Sequence, residues 1–312
     1  MHQKRSAFFP GVLALVFAVL FQVQAQQPPG VAVQPPRPAV QPIQTAATAV
    51  QQPSIKFAIL GDTGTGGKPQ YEVGQKMAAV RATFPFEFVI MLGDNMYGGE
   101  SAKDFQNKFE KPYQALLSAG IKFYASLGNH DVPDRQIAYK PFNMGGQRYY
   151  TFKPEDGVRF FALDTNYMDK KQLDWLKSEL KSSGSEWKIL FFHHPLYSSG
   201  EKHGPSLELR KLLEPLLIES GVDVVFAGHE HFYERVKPQH GIQYFILGNS
   251  AKLRKDGITP RSEITAKGFD DDNAFMVAEI SGDEMSFQTI SRTGTIIDTG
   301  KFRRVERKTS TN

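Results

Sequence analysis

The chain has 312 residues, 40% of them hydrophobic and 12% aromatic, with 24 Phe against 2 Trp. That is material for one large α/β domain with a sizeable core, and it excludes disorder throughout. The 37 Lys and Arg against 33 Asp and Glu give a net charge of +4, or +2 without Lys4 and Arg5, which is no nucleic-acid footprint; the absence of Cys excludes disulfides and thiol chemistry.

Residues 1–25 place a basic stretch (His2, Lys4, Arg5) before an apolar run from Ala7 to Phe21 and end on Val23-Gln24-Ala25, with small residues where a signal peptidase cuts. The run is broken at Pro10-Gly11 and falls short of the about 20 residues that a membrane-spanning helix needs. Cleavage after Ala25 is therefore expected, giving a secreted or periplasmic protein without stable membrane insertion. Residues 26–53 are rich in Gln, Pro, Ala and Val and read as an extended linker, with an idle tail and a surface spacer equally open. A single domain is expected over 54–306 and a short tail over 307–312.

From Ile55 onward, short β-rich runs end in Gly plus a polar residue. Ile55–Leu60 precedes Gly61-Asp62, Phe88–Leu92 precedes Gly93-Asp94, and Phe123–Leu127 precedes Gly128-Asn129. Ile189–Phe192 precedes His193, and Val222–Ala227 precedes Gly228-His229. Helical patterns lie between them over Tyr71–Thr83, Lys103–Ala119, Lys170–Ser182 and Ser206–Ser220, the last with a leucine stripe. Strands alternating with helices imply α/β architecture. The stretches Gln243–Leu247, Ala274–Ile280, Met285–Ile290 and Thr295–Asp298 suggest antiparallel strands completing a second sheet.

In open α/β sheets, loops at the carboxyl ends of strands converge on the ligand crevice, so the five polar ends are expected to meet in one place. Gly-Asp after a strand is by itself an ordinary turn, and a lone His is more often structural than a ligand. Two Asp, one Asn and three His at successive strand ends form a set that suits a pair of hard or borderline cations such as iron, zinc or manganese.

Gly61-Asp62-Thr63-Gly64, Gly93-Asp94-Asn95-Met96-Tyr97, Gly128-Asn129-His130-Asp131, Phe192-His193-His194-Pro195 and Gly228-His229-Glu230-His231 resemble, in order and spacing, the five blocks of the purple acid phosphatases within the calcineurin-like metallophosphoesterases. The resemblance takes in Leu163-Asp164-Thr165, Gln172-Leu173-Asp174-Trp175-Leu176 and Lys202-His203-Gly204-Pro205, covers roughly Ile55 to Arg304, and is closest to the short, tartrate-resistant type. It implies a four-layer α/β/β/α sandwich of two mixed sheets. It also implies Fe(III) on Asp62, Asp94, Tyr97 and His231, and a divalent iron, zinc or manganese on Asp94, Asn129, His193 and His229, with Asp94 bridging. His194, adjacent to the implied ligand His193, is expected to support the site or face the substrate. Many other metallophosphoesterases carry Asp-x-His in the first block, but here Gly64 fills the His position. The implied replacement is Tyr97, whose phenol ionises near 10 when unperturbed and binds as phenolate to a strongly acidic cation.

The implied reaction is hydrolysis of phosphate monoesters by hydroxide formed from cation-bound water, with His130 and His203 donating protons or hydrogen bonds. Small phosphate esters or phosphoproteins are the expected substrates, nucleic acid is not expected as a partner, and a monomer is expected. A phosphodiesterase or nucleotide hydrolase using the same metals, and a non-catalytic envelope protein that binds phosphate, stay as alternatives. Two decoys fail on composition. The run Gly61 to Lys68 resembles a phosphate-binding loop but has Asp62 where Gly is required and Pro69 where Ser or Thr is required. The cluster Lys252, Arg254, Lys255, Arg261 and Lys267 is expected to be a solvated loop.

Overall fold

A computed structural model describes residues 54–259 and 262–305; the expected signal peptide at 1–25, the linker at 26–53 and the tail at 307–312 lie outside the described residues. The chain begins with β1 (Ser54–Leu60), α1 (Lys68–Arg81), β2 (Phe88–Met91), α2 (Ala102–Phe105), α3 (Gln114–Ser118), β3 (Lys122–Ala125) and α4 (Pro133–Gln136). It continues through β4 (Tyr150–Glu155), β5 (Val158–Ala162), α5 (Lys170–Ser182), β6 (Trp187–Phe192), α6 (Leu207–Glu219) and β7 (Val224–Ala227). It ends with β8 (Tyr233–Val236), β9 (Gln243–Leu247), β10 (Thr265–Phe269), β11 (Ala274–Ser281), β12 (Glu284–Ser291) and β13 (Ile296–Arg303).

The strands form two mixed sheets, ordered β13-β12-β11-β1-β2-β3 and β10-β8-β9-β7-β6-β5-β4. Side chains alternate between their faces with the two-residue period of a strand. In β1, Phe57 and Ile59 face the other sheet while Ala58 and Leu60 face α1; in β6, Ile189 and Phe191 face the other sheet while Leu190 and Phe192 face α5 and α6. Three apolar seams therefore separate four layers, which is the expected α/β/β/α sandwich. The seam between the sheets is aromatic: Phe57 stacks on Phe88 at 5.6 Å and meets Phe160 edge-on at 5.1 Å. Such pairs add about 0.5–1.5 kcal/mol each beyond the area they bury.

Two expectations are corrected. Strands β11, β12 and β13 join the first sheet, through antiparallel pairing of β11 with β1, and do not complete the second. Of the tail strands, β9 and β10 enter the second sheet, β9 parallel to β7 and β10 antiparallel to β8. The single helix expected over Lys103–Ala119 is broken into α2, a π-turn at Gln106–Glu110 and α3. Pro112 lies at the break, where it can donate no backbone hydrogen bond.

Candidate metal centre

The five polar strand ends belong to both sheets: β1, β2 and β3 come from the first, β6 and β7 from the second. Asp62, Asp94 and His229 each turn the chain through the left-handed region, with φ of 55°, 49° and 70°. Non-glycine residues seldom adopt that backbone, and it recurs where function fixes it. Hydrogen bonds from the backbone N–H groups lock the ends together. Asp62 N–H donates to Gly93 O at 3.2 Å, and His229 N–H crosses from the second sheet to Asp62 Oδ2 at 2.9 Å.

Two sets of donor atoms result. In the first, Tyr97 Oη donates to Asp62 Oδ1 at 2.9 Å, and His231 Nε2 lies 3.4 Å from Tyr97 Oη and 3.3 Å from Asp62 Oδ1. In the second, His193 Nε2 lies 3.0 Å from Asn129 Oδ1 and 3.1 Å from His229 Nδ1. Asp94 sits between the sets, with Oδ1 3.5 Å from His193 Nε2, and Asp62, Asp94 and His193 offer ligand atoms that all lie within 4.8 Å of one another. The tautomer of His193 is fixed, because Nδ1 lies 2.9 Å from Leu92 O, a carbonyl that can only accept. Nε2 therefore presents a lone pair to the Asn129 oxygen. Two acceptors at that distance repel unless a cation lies between them.

Electrostatics say the same. Burial, then the Asp94 charge, holds the Asp62 carboxyl well above its usual range. Burial, then the neighbouring His193 and His194, pushes His229 down to about 2, and burial, then Arg254, pushes His231 down to about 4. Burial and the Asp62 and Asp94 charges push the Tyr97 phenol far above its usual value. Without a cation the carboxyl and the phenol hold their protons; a cation reverses that bias on Asp62 and Tyr97 and keeps both imidazoles in the neutral form that binds metal. The donor chemistry fits two metal ions.

The calcineurin-like phosphoesterase family model matches residues 55–233, which spans all five blocks. The chain belongs to that family. Tartrate-resistant acid phosphatase type 5 of Mus musculus is 30% identical over 63% of this chain and 72% of its own length. Purple acid phosphatase 17 of Arabidopsis thaliana is 27% identical over 66% and 71%. Among solved structures, one titled GAP50 the anchor in the inner membrane complex of Plasmodium superposes with a TM-score of 0.71 at 21% identity, covering 82% of this chain and 90% of that one. The resemblance of the sequence blocks to purple acid phosphatases is borne out.

In this phosphoesterase, position 64 has no room for the histidine common in the wider family. A Cβ on Gly64 would lie 2.0 Å from Asn95 O and 2.3 Å from Met96 Cα. The same segment carries Tyr97 into the space beside Asp62, with Tyr97 N–H donating to Gly64 O at 2.9 Å. The close approach at Gly64 and the placing of Tyr97 thus depend on the same backbone contact.

Around the donors, His130 packs its ring on Tyr97 at 4.9 Å while its N–H donates to Asp94 Oδ1 at 2.9 Å. The exposed His203 ring lies 4.4 Å from that of His229. His194 lies 4.6 Å from the His229 ring, and its Nδ1 is 2.9 Å from Thr165 Oγ1. The sequence blocks around Asp164 and Gln172 brace one another, since Asp164 N–H donates to Gln172 Oε1 and Gln172 Nε2 donates to Asp164 O.

Some residues at the site escaped the sequence reading. Lys252 and Arg254 do not belong to a merely solvated loop: Lys252 Nζ lies 4.2 Å from the Tyr97 ring centroid, and Arg254 pairs with the buried Glu230 at 3.2 Å. Asp131, Gln136 and Asn95 form a buried polar network that ties the second and third blocks together. The acid inside Gly228-His229-Glu230-His231 was the one available signal.

Proposed function

We propose that this protein is a secreted binuclear-metal acid phosphatase of the purple acid phosphatase type that hydrolyses phosphate monoesters. The observation that carries the proposal is the convergence of seven donors into two sets sharing Asp94, with His193 Nε2 and Asn129 Oδ1 facing each other as acceptors at 3.0 Å. Asp62, Asp94, Tyr97 and His231 would hold Fe(III); Asp94, Asn129, His193 and His229 would hold divalent iron, zinc or manganese. Two cations so held would supply charge neutralisation at the phosphate and water acidic enough to act as nucleophile in acid solution.

The chain's own groups do the rest. His203, beside His229, gives a proton to the departing alkoxide. Its Nε2 lies 3.4 Å from Arg254 Nη2, which can only donate, so the neutral ring keeps its proton on Nδ1 and becomes an acid on taking a second. Burial, then Arg254 and Lys202, lowers the His203 pKa, so the acid form is populated at low pH and the optimum is acidic. His130 orients over Tyr97 and hydrogen-bonds the phosphoryl group. The substrates are small phosphate esters or phosphoproteins, and the mature protein works as a monomer outside the cytoplasm. Support for this comes from the acid phosphatases named among its relatives and from the modest net charge of +4. Among the described residues no helix is long and apolar enough to cross a membrane.

The test compares an alkyl monoester, an activated aryl monoester and an aryl diester in wild type and His203→Ala. Wild type is expected to favour monoesters. The substitution is expected to slow the alkyl ester by about 10²–10⁴ and the aryl monoester much less. Faster turnover of the diester, or equal slowing of both monoesters, contradicts the proposal.

A further inference from the structure

Two cations on one loop reach the centre from either side. Lys252 N–H donates to Asp62 O at 3.2 Å and Arg254 N–H donates to His231 O at 2.9 Å, which pins alternate residues of the loop to two donor-bearing turns. Lys252 then lies over Tyr97, and Arg254 Nη2 lies beside His203.

Arg254 is held by an anchor buried between two of the site histidines. The Glu230 carboxylate accepts the N–H groups of His203 at 3.1 Å and Gly204 at 2.6 Å, and Arg254 Nη1 at 3.2 Å. It has room only because residue 200 is glycine, where a Cβ would stand 2.2 Å from Glu230 Oε1. Two segments of chain thus close on one buried carboxylate. The pairing occupies Nη1 and leaves Nη2 beside the His203 imidazole. A planar guanidinium held at one nitrogen offers its other donors to an oxyanion, where a lysine would offer only a mobile point charge.

We propose that Arg254, positioned by Glu230, binds the anionic phosphoryl group of the substrate and of the phosphate product. The proposal rests on the phosphatase reading above. The probe is inorganic phosphate, titrated calorimetrically into the metal-loaded full chain, with metal content measured for each variant. Arg254→Ala is expected to weaken phosphate binding by about tenfold or more, the scale of a lost charged hydrogen bond. Arg254→Lys should recover part of that, and Lys255→Ala, an exposed cation on the same loop, should bind as wild type does. Phosphate affinity within twofold of wild type in Arg254→Ala, with faster hydrogen exchange at the His203 and Gly204 amides, would show that Arg254 only braces Glu230 and would overturn the proposal. So would an equal loss in Lys255→Ala. If the metal-loaded wild type binds no phosphate, the phosphatase reading itself fails; if it binds phosphate and Arg254→Ala does so equally well, only the role of Arg254 fails.

Discussion

The two halves of the centre differ in their atoms and in what encloses them. The half around Asp62, Tyr97 and His231 offers a carboxylate, a phenol and an imidazole beneath the Lys252 ammonium. The half around Asn129, His193 and His229 offers two imidazoles and an amide oxygen, with the fully buried His193 held from behind by a main-chain carbonyl. A phenol buried between two carboxylates gives up its proton only to a cation of high charge, whereas neutral imidazole and amide donors suit a divalent ion. On the proposed reading, such a site would sort two metals by donor chemistry, with Asp94 common to both halves.

Because Asp94 is shared, breaking it should erase the distinction. Asp94→Asn is expected to lower metal occupancy in both halves and cut phosphatase turnover on the order of 10³-fold or more, since several kcal/mol of charge stabilisation goes with the metals. Metal content of one ion per chain with turnover within tenfold of wild type would mean that Asp94 does not bridge.

The comparison also shows what a sequence can and cannot carry. Asp62, Asp94, Asn129, His193 and His229 each follow a short apolar run, so strand periodicity and the polar residue at the strand's end were enough to gather them. Tyr97 and Gly64 could be linked only through the resemblance, because their exchange depends on backbone packing between residues 64 and 96. The placement of β11 to β13 was not legible: an alternating strand records that one face is buried, not which of two sheets it joins. Pro112, by contrast, was visible inside the expected long helix and marks the place where that helix breaks. Glu230 and Arg254 stand 24 residues apart on different turns, and only the folded chain pairs them.

A smaller effect sharpens the electrostatic side of the comparison. In metal-free protein His231 and His229 titrate at about 4 and about 2, below the usual 6.5. Between pH 6.5 and 4 the unfolded chain then binds more protons than the folded one, so stability should decline as the pH falls through that window. Thermal melts of chelator-treated protein at pH 7, 5.5 and 4.5 should show a falling Tm. A Tm that rises toward pH 4.5 would mean that the buried carboxylates, whose raised pKa values act in the opposite direction, dominate.

The central claim is that Tyr97 replaces a missing histidine and thereby selects Fe(III) for one half of the centre. The most direct test is metal analysis together with the visible absorption spectrum of wild type and Tyr97→Phe. The account predicts one iron and one further metal ion per chain in wild type, with a violet to pink charge-transfer band from phenolate to Fe(III). In Tyr97→Phe that band should vanish while part of the activity survives on Asp62, Asp94 and His231. A colourless wild type carrying two zinc or two manganese ions, or a band that persists in Tyr97→Phe, would contradict it.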